Sequence, residues 1–360
     1  MTTGELTRTD RFVNTLLLAF LGMLGLSGII MLYGTWAPWI FDIHRVLAIS
    51  FVVLLPWKAL TVYRSLMRGM QANFDRSFVL WVSIFFAHLL LLVIVLAFMW
   101  MWRIGPYRSL FLQTLIAWHW ILGLVALPFL AFHVWRRWPK PKREDFAGRR
   151  SLLQITGVGA VGIVGAFLSD WIARSVATEE SPRRFTGSRR FGFFTGNDFP
   201  ITGEPTQQVD VERWRLQVEG AVARPLTFSY EELRTLTASK FSEVIDCTSG
   251  WYSIQDWQGI PLRTLFEQAE ISQNAAGVRL FSVSGYNHTY PLAEAQRILL
   301  ATHVTGEILA PRHGYPLRAV VPGRRGWFWV KWLERVEVLD SPLQVIAGML
   351  ASPREVLRQF

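Results

Sequence analysis

The sequence predicts a two-part protein: an all-α transmembrane bundle of four helices plus a fifth anchor helix, followed by a mixed α+β domain. Two observations carry that expectation. The 360-residue chain is 51% hydrophobic, with 17 Trp and a mean hydropathy of +0.26, too apolar for an ordinary soluble protein. The apolar residues are also unevenly placed. The first half holds long uncharged runs, whereas the stretch after residue 174 has the short patterns of a globular domain.

Five runs have the composition of membrane spans: Val13–Tyr33, Val46–Tyr63, Phe78–Trp102, Leu110–Trp135 and Leu152–Ala173. Each is close to the roughly 20 residues that a helix needs to cross a bilayer. Trp36, Trp39, Trp100, Trp102 and Trp138 lie near the span ends, as an interfacial aromatic belt would. Lys58, close to Pro56 in the second span, reads as a side chain snorkelling to the headgroups beside Arg64.

The net charge of +10 raises the question of a nucleic-acid partner, but its distribution excludes one. Arg8 and Arg11, then Arg64, Arg68 and Arg76, then Arg136, Arg137, Lys140, Lys142, Arg143, Arg149 and Arg150 occupy alternate connections, which the positive-inside rule makes cytoplasmic. The loops Gly34–Arg45 and Arg103–Phe111 then fall outside. Five crossings leave the C-terminal domain on the extracytoplasmic side of a bacterial inner membrane. Arg149-Arg150-Ser151-Leu152-Leu153-Gln154, leading into a Gly/Ala/Val-rich stretch, resembles a twin-arginine export signal, a route for folded proteins; the alternative is two more positive-inside arginines. Ser175-Val176-Ala177 could serve as a signal-peptidase site. Cleavage there would separate the soluble domain from its membrane part, so an uncleaved anchor is expected.

Four of the seven histidines, His44, His88, His119 and His133, fall in or at the ends of the spans. An imidazole in hydrocarbon is costly enough that function is the default reading, although a single one can simply bond a neighbouring helix. His119 and His133 are fourteen residues apart on one helix, roughly 21 Å along its axis and nearly four whole turns, so both lie on one face near opposite membrane surfaces. A transmembrane pair of haems needs that arrangement. With these features, residues 10–137 resemble the four-helix cytochrome b subunits of formate dehydrogenases and nickel-iron hydrogenases. The resemblance implies b-type haem, one or two, and exchange with membrane quinone or quinol. Topology puts His119 toward the outer face, where His44 can supply the opposite axial ligand, and two histidine ligands favour electron transfer over oxygen chemistry. The family's inner partner for His133 comes from the first helix, which here has no histidine. His88, near the middle of the third span, then serves an inner haem or a quinone site, or only one haem is present.

The linker Arg174–Arg190 is followed by short elements. Trp214–Gly220 alternates apolar and polar residues at period two. Ser229 and Glu232 form a capping box for a helix through Leu236, and Val278–Val283 and Leu317–Val321 read as strands. The only cysteine, Cys247, cannot form an intrachain disulfide. Alone it would read as a small buried hydrophobe. Its context, Asp246-Cys247-Thr248-Ser249-Gly250-Trp251 and then Trp257-Gln258-Gly259-Ile260-Pro261-Leu262, resembles the molybdenum-ligand segment of the sulfite-oxidase family of molybdopterin enzymes. Within that family it is most similar to the branch that reduces methionine sulfoxide in the periplasm. The resemblance makes Cys247 the protein ligand to molybdenum, a role suited to a soft thiolate.

A second block, His313-Gly314-Tyr315-Pro316-Leu317-Arg318-Ala319-Val320-Val321-Pro322-Gly323, continues through Gly326-Trp327 to Lys331-Trp332-Leu333 and resembles the family's cofactor segment. The resemblance spans about residues 206–340, with Gly306-Glu307 between the blocks. It implies that His313, Arg318 and Lys331 hold the pterin, assisted by Arg324 or Arg325. Cations are the usual partners of its phosphate, although read singly such residues are more often ordinary surface charges. Asn197, in Asn197-Asp198-Phe199, resembles the asparagine that approaches the metal in the sulfoxide-reducing branch; Asn-Asp otherwise marks a turn. Tyr286 and His288 are candidates to line the substrate pocket, with core packing as the competing reading.

The domain expectation is therefore a cytochrome b-like bundle at 1–137, a basic cytoplasmic linker at 138–150, the anchor helix at 151–173, an extracytoplasmic linker at 174–205, a molybdopterin-binding catalytic domain at 206–345 and a tail at 346–360. Sulfite-oxidising members carry an arginine pair shortly after the ligand cysteine, where this chain reads Thr248-Ser249-Gly250-Trp251-Tyr252. That departure favours a neutral substrate, a small-molecule or protein-bound sulfoxide, reduced with electrons from quinol. Oxidation of sulfite or a similar anion is the alternative and would recruit Arg279 or Arg324. A non-catalytic receptor with a degenerate cofactor fold is the alternative of another class.

Overall fold

The computed structural model describes residues 7–33, 38–69, 74–104, 113–138, 140–176, 184, 186–190, 195–201, 205–236 and 239–356. Trp36, Ala177 of the candidate cleavage site, much of the 174–205 linker and the last four residues lie outside them, as do the side chains of Arg64, Arg68 and Arg76. The chain forms two compact units, Met1–Ser188 and Arg189–Phe360.

The first unit contains five helices long and apolar enough to cross a membrane. They are α1 (Arg8–Tyr33), α2 (Pro38–Gly69), α3 (Phe74–Trp102), α4 (Leu115–Arg137) and α5 (Arg149–Val176). Large apolar side chains such as Trp81, Val164 and Phe167 are exposed, the inverse of a water-soluble bundle. Helix α4 starts later than the hydropathy suggests because the Thr114 hydroxyl caps it, accepting from the Ala117 amide at 3.2 Å. Helix α2 starts earlier, with Pro38 at the first helical position where its missing N–H is no loss. Lys58 differs from its expected role: its Nζ donates to Asn14 Oδ1 at 2.7 Å, joining α2 to α1.

Helix α5 is built into this unit. A Cβ on Gly162 would come within 2.0 Å of Ser50 Oγ and one on Gly165 within 2.7 Å of Ile49 Cγ2, so the two glycines let α5 lie close against α2. Arg45 of α2 pairs with Asp170 at 2.6 Å and also donates to the Ala166 carbonyl. Trp102 of α3 donates to Ser169 at 3.0 Å. At the other end of the bundle Arg11 makes a two-pronged ion pair with the buried Asp145, at 2.8 and 2.9 Å. The Arg11 hydrogen bond holds the Asp145 carboxyl below its ordinary pKa.

The second unit is the mixed α+β domain. One sheet runs β1 (Arg189–Arg190), β5 (Trp251–Pro261), β8 (Leu299–Val304), β10 (Arg318–Val320), with β4 (Ser239–Asp246) also pairing β5 and β9 (Glu307–Ile308) pairing β8. The other runs β3 (Leu226–Phe228), β2 (Leu216–Gly220), β11 (Leu333–Leu339), β6 (Gly277–Ser282), β7 (Asn287–Pro291). A shared core of Leu216, Val218, Ile260, Leu280, Val320 and Val336 lies among their buried side chains. The unit begins upstream of residue 206 because Arg189–Arg190 pairs parallel with Trp251–Tyr252 and Phe199 is buried in the core. The capping box is present: Ser229 N donates to Glu232 at 2.7 Å, and the Ser229 hydroxyl accepts from the Glu232 amide. The 346–360 tail is largely helical instead, within α6 (Pro342–Val356), whose Val345 is buried while Leu343, Ile346 and Leu350 face out.

Candidate functional site

Cys247 sits at the tip of the hairpin that joins β4 to β5. Cys247 N donates to Trp251 O at 2.8 Å and Gly250 N to Cys247 O at 3.0 Å, closing a turn in which Gly250 has φ +87, a conformation that favours glycine. The half-buried thiol also accepts from the Ser249 amide at 3.4 Å. Just upstream, Asp246 accepts from the buried Arg325 at 3.0 Å, a pair that sequence reading did not anticipate.

Arg318 on β10 is buried beside this turn and interacts electrostatically with Cys247. Its guanidinium lies 5.6 Å from each of the Phe199, Trp257 and Trp329 ring centres, a cage of cation–π contacts. Burial pushes the Arg318 pKa down to about 9, with the Cys247 charge acting the other way, so it stays cationic at neutral pH.

His313 is fully buried, its ring 4.0 Å from that of Phe199. Burial, then the Arg318 charge, pushes its pKa to about 3, so it is neutral. Nε2 lies 2.7 Å from the Asn197 carbonyl, which only accepts, so the proton is on Nε2 and Nδ1 carries the lone pair. Gly314, at φ +110, is wedged where a Cβ would meet Lys331 Cβ at 3.1 Å and Arg318 Cβ at 3.3 Å, which gathers His313, Arg318 and Lys331 around one backbone segment. Lys331 Nζ lies 4.1 Å from the Trp332 ring centre.

This set fits a phosphate-bearing, sulfur-ligated metal cofactor. His313 Nδ1 and Arg318 Nε are buried without hydrogen-bond partners, two cations stand together, and the soft donor is adjacent. The remaining candidates also have partners within the domain. Arg324 makes a two-pronged pair with Glu294 at 2.6 and 2.8 Å, and Arg325 is held by Asp246, so both brace the loop after β10. Both N–H donors of the Asn197 amide go to Glu307 and Ile308, and its oxygen accepts from Ala310, making it a clamp on the segment leading to His313. Tyr286 donates its hydroxyl proton to the Trp327 carbonyl, and Tyr290, missed in the sequence, to that of Phe328. His288 is buried between Tyr286, Tyr290 and Phe328, and burial pushes its pKa to about 3.

The structure brings together two of the intramembrane histidines. The rings of His44 and His119 are 6.3 Å apart, centre to centre, crossed at 84°. His119 Nδ1 donates to the Val93 carbonyl at 2.8 Å. His44 Nδ1 donates to Ser27 Oγ at 2.8 Å, whose own proton goes to the Met23 carbonyl. Both rings therefore keep the Nε2 lone pair that ligates metals, oriented through the other nitrogen. Gly123, one turn along from His119, has open space where a side chain would be. Two metal–imidazole bonds of about 2 Å each, with the ring radii added, span roughly 6 Å, so the separation would let the two rings hold one metal centre between them. His133 Nδ1 bonds Ser83 Oγ at 3.1 Å, and His88, exposed on α3, bonds its own helix at the Ile84 carbonyl. The His133 ring lies 5.8 Å from that of Phe86.

Comparison with known proteins adds an independent line. The family profile of the oxidoreductase molybdopterin binding domain matches residues 203–346. The uncharacterized oxidoreductase YuiH of Bacillus subtilis is 33% identical over 144 residues, covering 39% of this chain and 73% of that protein. The protein-methionine-sulfoxide reductase catalytic subunit MsrP of Gluconobacter oxydans is 27% identical over 245 residues, covering 57% of this chain and 75% of that one. A solved structure, the sulfane dehydrogenase SoxCD from Paracoccus pantotrophus, matches at 24% identity and a TM-score of 0.36, over 40% of this chain and less than half, 46%, of that one.

Proposed function

Because the chain belongs to the family of molybdopterin-binding oxidoreductases, we propose that it draws electrons from membrane quinol, passes them through one b-type haem and reduces a sulfoxide on the extracytoplasmic side. The observation that carries the choice of substrate is what the candidate cations do. A sulfite dianion in a pocket without compensating charge loses its hydration for little return. Thr248–Tyr252 carries no charge, and the arginines that sulfite chemistry would recruit are committed to other groups: Arg279 to Thr289 and Glu337, Arg324 to Glu294. Similarity to the methionine sulfoxide reductase subunits supports the same direction.

When bound, the molybdenum cofactor would supply the centre at which a sulfoxide takes up two electrons and two protons to give a sulfide and water. The chain's own groups hold that centre. Cys247 would give a thiolate to the metal, with the buried guanidinium of Arg318 beside it. Arg318 and Lys331 would donate to the phosphate, and His313 would accept from the pterin at Nδ1. Phe199, Trp251, Trp257 and Trp329, all buried, keep water away. His44 and His119 would hold the haem. The alternate-loop arginines support placing the catalytic unit outside, and the packing of α5 supports an uncleaved anchor. Family membership, with Cys247, His313, Arg318 and Lys331 all present, weighs against the receptor reading.

Steady-state assays of the purified full-length protein decide the reaction. Reduced viologen should be consumed on addition of methionine sulfoxide, with little reduction of an artificial acceptor by sulfite. Efficient sulfite oxidation without sulfoxide reduction would reverse the assignment.

A further inference from the structure

His88 lies near the middle of α3, in the most apolar of the five spans, and it is exposed. Among the described residues its hydrogen bond runs from Nδ1 to the Ile84 carbonyl at 2.8 Å. Since a carbonyl only accepts, Nδ1 carries a proton, and in that tautomer Nε2 is the ring's acceptor. An acceptor facing hydrocarbon has no water to bond, and such groups are costly unless something in the membrane satisfies them. The residues around it form a stripe. Trp81, Phe85, His88, Leu92 and Val95 recur at spacings of four and three on one face of α3, and all five are exposed. Phe85 also lies 5.0 Å from Phe129 of α4, the rings tilted at 56°, giving a small aromatic surface beside the imidazole. Val93, whose carbonyl orients His119, is five residues further along the same helix, about 7.5 Å along its axis.

We propose that this stripe is the docking site of a membrane quinol, whose hydroxyl donates to His88 Nε2 while its ring lies against Phe85 and Phe129. The occupant follows from the chemistry of the face. It must be apolar enough to dissolve in the bilayer, carry an O–H donor and be planar. Lipid acyl chains lack the donor. The site rests on the haem reading for its purpose, because it stands on the helix that orients His119.

The test uses full-length protein in detergent and two probes. A photoreactive azido-quinone is irradiated with the protein and the labelled peptide is identified by mass spectrometry. Decylubiquinol-driven reduction of the haem is timed in wild type, His88→Leu and His88→Gln, with dithionite marking the full extent of reduction. The site predicts labelling between Trp81 and Val95, about a tenfold slower reduction in His88→Leu, the factor expected of one lost hydrogen bond, and recovery in His88→Gln, which keeps an acceptor. Labelling elsewhere overturns it, as does wild-type reduction in His88→Leu or a change of oligomeric size in that variant, which would assign the stripe to a second copy of the chain. If wild type shows no dithionite-reducible b-type spectrum, the haem reading fails by itself, and the labelling map still decides the quinol site.

Discussion

The imidazoles of His44 and His119 face one another across 6.3 Å on two different transmembrane helices, each held through Nδ1 by an oxygen acceptor. Nothing local requires this. Helix propensity and apolar packing would be served better by Leu at both places. The cost of two imidazoles in hydrocarbon is offset if both Nε2 atoms coordinate one metal ion, and the separation suits that geometry.

Replacing His119 with Ala should therefore abolish the reducible b-type spectrum while leaving the molybdenum content within about twofold of wild type, since the catalytic unit has its own core. Optical difference spectra with metal analysis on the same sample check this. An unchanged spectrum would mean that the pair is not a haem site.

Cys247→Ser should fold normally and lose sulfoxide reduction by at least roughly a hundredfold, because a hydroxyl is a poor donor to a soft metal. The turn survives the change, as the two hydrogen bonds that close it are made by the backbone of Cys247, Gly250 and Trp251, and a serine hydroxyl can still accept from the Ser249 amide. Viologen-linked turnover and circular dichroism separate the two effects.

His288 predicts a pH dependence of stability. Its folded pKa of about 3 lies below the ordinary 6.5, burial being the main cause. The unfolded chain therefore binds more protons between those values, and stability is lost as pH falls from about 6.5 toward 3, by up to about 1.4 kcal/mol per pH unit for each such group. His313 adds in the same direction. His288→Asn should flatten the acid limb of the unfolding midpoint, followed by near-ultraviolet circular dichroism. An unchanged acid limb would show that this burial is not what couples folding to protons.

Helix α5 should remain joined to the catalytic unit in the mature protein, so that one polypeptide in a denaturing gel carries both. Gly162→Leu should loosen its packing on α2 and lower yield from membranes, because the first added atom already meets Ser50. A reporter fused after Phe360 that works only when exported should be active, and one within residues 140–148 silent. The reverse pattern would invert the orientation.

Much of this was legible in the sequence because it depends on local chemistry. Hydropathy located all five helices, and the capping box at Ser229 and Glu232 needs only two residues at the right spacing. Cys247, Arg318 and His313 were singled out by motif context, and the fold brings Arg318 beside both of the others. Pairings across long separations were not legible. Nothing near Arg325 in the chain points to Asp246, nor near Arg324 to Glu294, although those ion pairs brace the loop after β10. Asn197 likewise reads as a turn or a metal neighbour until Glu307, Ile308 and Ala310 are folded around it. The C-terminal helix was missed because its buried side is narrow: Val345 packs inward while Leu343, Ile346 and Leu350 are exposed.

The most direct test of the whole account is whether the haem gives its electrons to a sulfoxide. Full-length protein is reduced anaerobically with dithionite, freed of excess reductant and mixed with methionine sulfoxide while the haem absorbance is followed. The account predicts reoxidation in wild type and a haem that stays reduced in Cys247→Ser. A haem that stays reduced in wild type, or an oxidised haem that sulfite reduces, would contradict it.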